Sequence, residues 1–256
     1  MTEENIMTIL LTGGTGTLGR LVLPPLRRTG AEVRVLTRNP RPPEDGVTYV
    51  KGDLLTGEGV AAAVDGADLV LHLAGGAKGD DVATRNLTGA ARAAGAGHIV
   101  FISAIGADRV PLGWFRNKLA AERAVIESGI PWTILRAAQF HDLALKVATA
   151  MARMPVVPVP GGLRFQPVDA RDVAERLVEL VQAEPAGLVA DLAGPAVYGM
   201  GDLVRAYLAT AGKRRLMLPV RMPGKAGRAY RAGENLTLTG GTTGGRTWEA
   251  FLGERA

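Results

Sequence analysis

Apolar positions along the chain fall into short runs separated by longer stretches of helical character. The runs Thr8–Leu11, Glu32–Thr37, Thr48–Lys51, Leu69–Leu73, His98–Ser103 and Trp132–Arg136 predict strands. Between them, Leu18–Thr29, Gly57–Val64, Asp80–Ala94 and Phe115–Ser128 predict helices. The first of these should kink at Pro24-Pro25, where two amide donors are missing. Strand–helix alternation of this kind predicts an α/β, doubly wound parallel sheet with helices on both faces and the ligand at the carboxyl ends of the strands. After Arg136 the pattern loosens. Met154–Pro160 is too rich in proline for a central strand. Arg171–Gln182 reads as a helix with Val173, Leu177, Leu180 and Val181 on one face, and Asp202–Ala211 as another. Val189–Leu192 reads as one more strand, and the tail from Lys213 as strand-like and loop pieces. The expected organisation is one domain over residues 1–256. A small C-terminal substrate lobe, from about 139–165 and 195–256, should cap the strand ends.

Composition narrows the class. Of 256 residues, 47% are apolar and 21% charged, the balance of a soluble globular protein. The first apolar run, Ile6–Leu11, passes directly into Thr12-Gly13-Gly14 and so reads as a strand, not a leader. No stretch reaches the roughly 18 apolar residues of a membrane span. The absence of cysteine excludes disulfides and thiolate metal sites and fits a cytoplasmic location. No His, Asp and Glu pattern suggests a metal site. The net charge is +5, but the arginines are scattered and aromatics make up only 5%, which argues against a nucleic-acid surface. An anionic cofactor accounts for the balance as well.

The candidate chemistry starts at the loop Thr12-Gly13-Gly14-Thr15-Gly16-Thr17-Leu18-Gly19. Gly13 permits a tight turn, Gly16 lets a pyrophosphate approach the backbone, and Gly19 allows close helix–strand packing. The helix that starts here offers unpaired N–H groups and a favourable dipole. Gly13, Thr15, Gly16, Thr17, Leu18 and Gly19 are therefore expected to hold a dinucleotide in a Rossmann-type fold. At the end of the second strand, Thr37-Arg38-Asn39-Pro40 carries no carboxylate for ribose hydroxyls. Arg38, beside Asn39, can instead pair with a 2′-phosphate and stack on adenine, which points to NADPH/NADP. The alternative for Arg38 is a solvated loop residue.

On these residues the chain resembles the atypical short-chain dehydrogenase/reductases, in their NmrA-like NAD(P)H-binding branch. The similarity extends to Gly52-Asp53-Leu54, His72-Leu73-Ala74-Gly75, Ile102–Ala107, Lys118–Glu122, Pro131–Arg136, Phe165–Ala174 and the closing Thr247–Leu252. The resemblance implies that Asp53 and Leu54 edge the adenine and that Ala74 and Gly75 pass under the cofactor. It places Ala138, Gln139 and Phe140 near the nicotinamide, and gives Lys118 the nicotinamide ribose hydroxyls. Asp53 also reads as a plain turn former after a strand. Asp169, Arg171 and Asp172 read as a helix start.

One departure matters. Reductases of the familiar type carry a tyrosine four residues before the lysine as proton donor, and here that position is Trp114. An indole N–H does not serve as a practical acid. Ser103 either polarises a carbonyl or ends its strand. His141 is a candidate proton donor, whereas His72 and His98 read as structural. Two readings remain open. One is a reductase that takes its proton from water or from a phenol beside the ketone, on a hydrophobic polycyclic aromatic, polyketide-like or quinone substrate, as in antibiotic-tailoring (angucyclinone-type) ketoreductases. The other is an NmrA-type redox sensor that binds NADPH without turnover. A sugar-nucleotide epimerase ranks below both, because that class needs the tyrosine. The expected pocket is apolar, from Trp114, Phe115, Phe140 and Met151–Pro160. The expected state is a monomer or weak homodimer.

Overall fold

In the computed structural model, which describes residues 6–76, 78–237 and 240–255, every apolar run of the first half becomes a strand. In chain order the elements are β1 (Thr8–Thr12), α1 (Thr17–Arg28), β2 (Glu32–Thr37), β3 (Val47–Lys51), α2 (Val60–Val64), β4 (Leu69–His72), α3 (Asp80–Ala93), β5 (His98–Ala104), α4 (Gly113–Ile126) and β6 (Trp132–Ala137). There follow α5 (His141–Met151), β7 (Val156–Pro160), β8 (Arg164–Phe165), α6 (Ala170–Val181), β9 (Gly187–Leu188), β10 (Leu192–Ala193), β11 (Tyr198–Gly199) and α7 (Met200–Thr210). The chain closes with β12 (Leu216–Val220), α8 (Gly224–Ala232), β13 (Thr242–Thr243) and α9 (Trp248–Gly253).

The chain divides into two compact units. The first comprises Met1–Ser103, Arg116–Leu135 and Ala174–Val189; the second comprises Ala104–Phe115, Arg136–Val173 and Ala190–Ala256. Residues 238, 239 and 256 of the expected lobe lie outside the described residues.

The first unit is a parallel sheet in the order β6-β5-β4-β1-β2-β3, with the short β9 added to β6. It is the doubly wound Rossmann-type α/β sheet. Registers such as Leu10↔Val70 and Leu71↔Val100 bring the apolar runs side by side. Because helices cover both faces, β4 and β5 are buried at every position, and apart from His72, His98 and Ser103 at their ends their sequences are apolar with no alternation. One face packs Leu10, Val70, Ile99, Phe101 and Ile134 against Val60, Val64, Leu87, Ala91, Ala121 and Val125. The helix α1 continues through Pro24 and Pro25 over twelve residues. Pro24 is exposed and Pro25 half-buried.

In the second unit, β10 pairs with β13, and its Leu192 pairs with Ala137. β11 pairs with β8, and β7 forms a parallel two-stranded ribbon with β12. The proline-rich segment is thus a strand of a ribbon and not of a central sheet. Three expectations need correction. Val189–Leu192 is not one strand: two-residue pieces, β9 and β10, flank Val189–Asp191, and the Asp191 carboxylate accepts a hydrogen bond from Thr237 Oγ1 at 2.7 Å. Residues 141–151 form a helix, α5, that the loosened pattern concealed. The tail contains two helices, α8 and α9. The second is capped by Thr247, whose hydroxyl accepts the Ala250 amide, and it buries Trp248, Phe251 and Leu252. No helix among the described residues is long and apolar enough to cross a membrane.

Candidate cofactor site

The loop after β1 turns because Gly13 holds φ +71°, a conformation that side-chain-bearing residues rarely adopt. A Cβ there would also sit 2.7 Å from the Ala74 nitrogen, so the glycine loop and the β4–α3 segment touch backbone to backbone. The amide of Gly16 bonds back to the Gly13 carbonyl at 3.0 Å, and the Arg20 side chain braces the loop through the Thr15 carbonyl at 2.9 Å. Gly16 starts α1 without any side-chain cap. The first-turn amides of Thr17 and Leu18 therefore have no intrahelical acceptor and remain available to an anion. Gly19 is buried against the loop itself: a Cβ would fall 2.3 Å from the Gly13 carbonyl oxygen.

A cavity of about 420 Å³ opens over this loop within the first unit. Of the residues expected at a cofactor, it is lined by Gly13, Thr15, Gly16, Arg38, Asp53, Leu54, Ala74 and Gly75. Leu18 and Gly19 lie buried behind the loop, while Thr17 and Asn39 are exposed. Asp53 combines both of its sequence readings. Its Oδ1 accepts the Leu55 amide at 2.8 Å, making the turn, and its side of the turn faces the cavity. The donor set suits a nucleotide diphosphate: free amides at a helix start, a guanidinium at the end of β2, and an apolar edge from Leu36 and Leu54.

Asp80 was not singled out from the sequence, yet it organises the far wall. The carboxylate is 5% exposed; Oδ1 accepts the Gly76 amide at 2.6 Å, and Oδ2 pairs with Lys118 Nζ at 3.0 Å. Lys118 is equally buried, lies 5.5 Å from the Phe101 ring centroid, and comes within 2.8 Å of the position a Gly75 Cβ would take. Lys118 thus reaches the underside of the expected cofactor segment as half of a buried ion pair. Lys78 also lines the cavity and was missed, since a lysine in a loop has no pattern of its own. Ser103 is buried, and its hydroxyl has no hydrogen-bond partner among the described residues.

His72 occupies the end of β4 as a buried residue, as its sequence position suggested. Burial, and secondarily the charge of Lys118, push its pKa down to about 3, so the ring is neutral. His98, also buried, bonds Thr133 Oγ1 at 2.9 Å.

The remaining expected residues lie in the second unit. Ala138 is buried and its amide donates to the Leu192 carbonyl. Gln139 presents a buried Oε1 with no partner among the described residues, and Phe140 is half-buried beside Val168. His141 is fully buried against Trp248 and Phe251, with ring centroids 5.7 and 5.0 Å away. Its Nε2 donates to the Pro167 carbonyl at 3.1 Å. Burial lowers its pKa against the opposing pull of the Asp169 carboxylate. Asp169 in turn accepts the Arg171 amide and guanidinium, the helix-start role expected of it. Trp114 is 37% exposed and packs edge-on against Phe115.

A family profile described as NAD(P)H-binding matches residues 13–184. The chain is 26% identical over 215 residues to quinone oxidoreductase 2 of Escherichia coli (strain K12), covering 80% of this chain and 75% of that protein. It is 27% identical over 193 residues to the photosystem II assembly factor Ycf39 of Trieres chinensis, covering 69% of this chain and 60% of the other. Among solved structures, the NADPH-dependent quinone oxidoreductase of Escherichia coli in complex with NADPH superposes with a TM-score of 0.81. That likeness is at 20% identity, over 96% of this chain and 99% of that one, and it speaks for the fold.

Proposed function

Since the chain belongs to the NAD(P)H-binding family, we propose that it works as an NAD(P)H-dependent oxidoreductase and takes NADPH in particular. The observation that carries this is the uncapped start of α1 facing the same cavity as Arg38, with no carboxylate at the end of β2. In this reading the amides of Thr15, Thr17 and Leu18 hold the pyrophosphate, Gly16 lets it approach the backbone, and Gly13 and Gly19 shape the loop. Arg38 and Asn39 take the 2′-phosphate, Asp53 and Leu54 edge the adenine, and Ala74 and Gly75 run beneath the cofactor. Lys118 is oriented by Asp80. Bound NADPH supplies the hydride.

The substrate of this reading is the carbonyl or quinone of a flat, hydrophobic, polycyclic aromatic molecule. The relative named as a quinone oxidoreductase supports the quinone class. The proton that balances the reduction comes from water or from a hydroxyl on the substrate, because position 114 carries an indole. Ser103, with its unpaired hydroxyl, polarises the carbonyl oxygen. His141 is assigned to packing, since its Nε2 proton is engaged by Pro167 and aromatic rings enclose it. A second reading, an NADPH-binding regulator without turnover, draws on the same absent tyrosine and on the relative named as an assembly factor.

The assay that separates them is NADPH consumption against quinones, polycyclic aromatic ketones and simple aldehydes. Substrate-dependent loss of reduced-nicotinamide absorbance is the expected result. Tight NADPH binding with no consumption across the panel selects the regulator. The choice of cofactor has its own test. Arg38→Ala should weaken NADPH about 10- to 100-fold and NADH less than about threefold, because only NADPH has the phosphate for a charge-assisted bond. Equal losses in titrations with both cofactors would remove the phosphate role from Arg38.

A further inference from the structure

The buried histidine of β4 sits within a chain of hydrogen bonds that runs from the Ala74 amide to the Asp80 carbonyl. The Ala74 amide donates to Thr12 Oγ1 at 3.2 Å, and that oxygen lies 2.7 Å from His72 Nδ1. On the other side, Thr84 Oγ1 donates to the Asp80 carbonyl at 2.6 Å, so it must accept from His72 Nε2, 3.1 Å away. Thr84 thus puts a proton on Nε2; the neutral ring has no second one, so Nδ1 keeps its lone pair and the Thr12 hydroxyl donates to it. Thr12 and Thr84 have no exposed surface, His72 has 1%, and the ring stacks on Phe101 with centroids 5.1 Å apart.

One end of this chain lies on the cofactor segment and the other on the residue that holds it. One end holds the amide of Ala74. The other holds Asp80, whose carboxylate takes the Gly76 amide and Lys118. The segment from Ala74 to Gly76 is fastened by two of its own amides, to Thr12 Oγ1 and to the Asp80 carboxylate.

We propose that His72, with its single proton on Nε2, is a positioning residue that sets the Ala74–Gly76 segment of the NAD(P)H site through Thr12 and Thr84. The proposal rests on the reading of that cavity as the cofactor site. His72 does not touch the cofactor; it acts as a spacer of fixed length and fixed polarity between a backbone donor and a backbone acceptor. Any replacement that cannot accept on one side and donate on the other leaves a buried hydroxyl without its partner, and the segment loses its anchor.

Thr84 provides the decisive comparison. Valine matches threonine in shape but has no hydroxyl, whereas serine keeps the hydroxyl and loses a methyl. A packing role predicts that Thr84→Val is milder than Thr84→Ser. The relay predicts the reverse: Thr84→Ser binds NADPH within about twofold of the natural protein, and Thr84→Val binds on the order of tenfold more weakly. Nitrogen NMR of the imidazole supplies a readout that packing does not move. The natural protein should show one tautomer, protonated on Nε2, throughout about pH 5 to 8. An Nδ1-protonated or mixed ring overturns the proposal whatever NADPH does. So does NADPH affinity in Thr84→Val equal to that of the natural protein. If the natural protein binds no NADPH, the cofactor reading fails and takes the proposal with it. That outcome is told apart from the others because the natural protein itself gives no binding signal.

Discussion

Lys118→Ala should destabilise the protein by about 3–5 kcal/mol, the cost of leaving a buried carboxylate without its counter-ion. Asp80 and Lys118 are each more than nine-tenths buried and 3.0 Å apart, so little water reaches the carboxylate to replace the ammonium. NADPH-dependent turnover should fall with it, since the Gly76 amide bonds to the same carboxylate and Lys118 Nζ packs under Gly75. Urea unfolding measures the first effect and NADPH titration the second. The double variant Lys118→Ala with Asp80→Ala should recover part of the stability, because it removes the orphaned charge, but should not recover turnover. A loss below about 1 kcal/mol in the single variant would mean that the pair behaves as a solvated surface bridge.

Gly19→Ala is expected to be the most damaging single methyl group among the three spaced glycines of the cofactor loop, 13, 16 and 19. The new Cβ would lie 2.3 Å from the Gly13 oxygen and 2.5 Å from the Gly14 Cα, both backbone atoms of the loop that starts α1. No side-chain rotation relieves such a contact. The loop must move away from the helix, and the amides of Thr17 and Leu18 move out of register with any phosphate. NADPH affinity should fall more than about a hundredfold, with a stability loss of at least about 2–3 kcal/mol. Gly16→Ala is the control. Its Cβ meets only the Gly13 oxygen, at 3.2 Å, so the fold should lose under about 1 kcal/mol while the face presented to pyrophosphate is crowded. Calorimetric titration and thermal unfolding of the two variants give both numbers. Unaltered NADPH binding by Gly19→Ala would dismiss the tight loop–helix packing as a requirement of the site.

The first unit was legible because its physics is local. Strands buried on both faces must be apolar throughout, so β1, β4 and β5 stand out as runs, and the glycines at 13, 16 and 19 mark the one turn that needs them. Asp80 escaped notice because its sequence neighbourhood describes only a helix start. Its importance comes from Lys118 on α4, a partner that sequence spacing cannot supply. The direction of the hydrogen bonds around His72 was likewise invisible until Thr12, on β1, and Thr84, on α3, were seen flanking the ring. In the second unit the strands β8, β10, β11 and β13 have two residues each, too few to show any period. α9 carried a usable signal: a threonine cap followed by Trp248, Phe251 and Leu252, a spacing that puts all three on one face.

The ribbon of β7 and β12 presents apolar side chains to water, with Leu216 at 68%, Leu218 at 53% and Val156 at 41% exposure. A ribbon of this kind normally invites a strand from another molecule, the first step of fibre growth. The Gly161 amide bonds inward to the Val220 carbonyl, so with a period of two the amide positions of 158 and 160 face outward. Both are proline, and the outer edge of β7 has no hydrogens there to offer. At that edge an incoming strand would find a greasy ribbon but a gapped ladder, and growth from the β7 side is blocked.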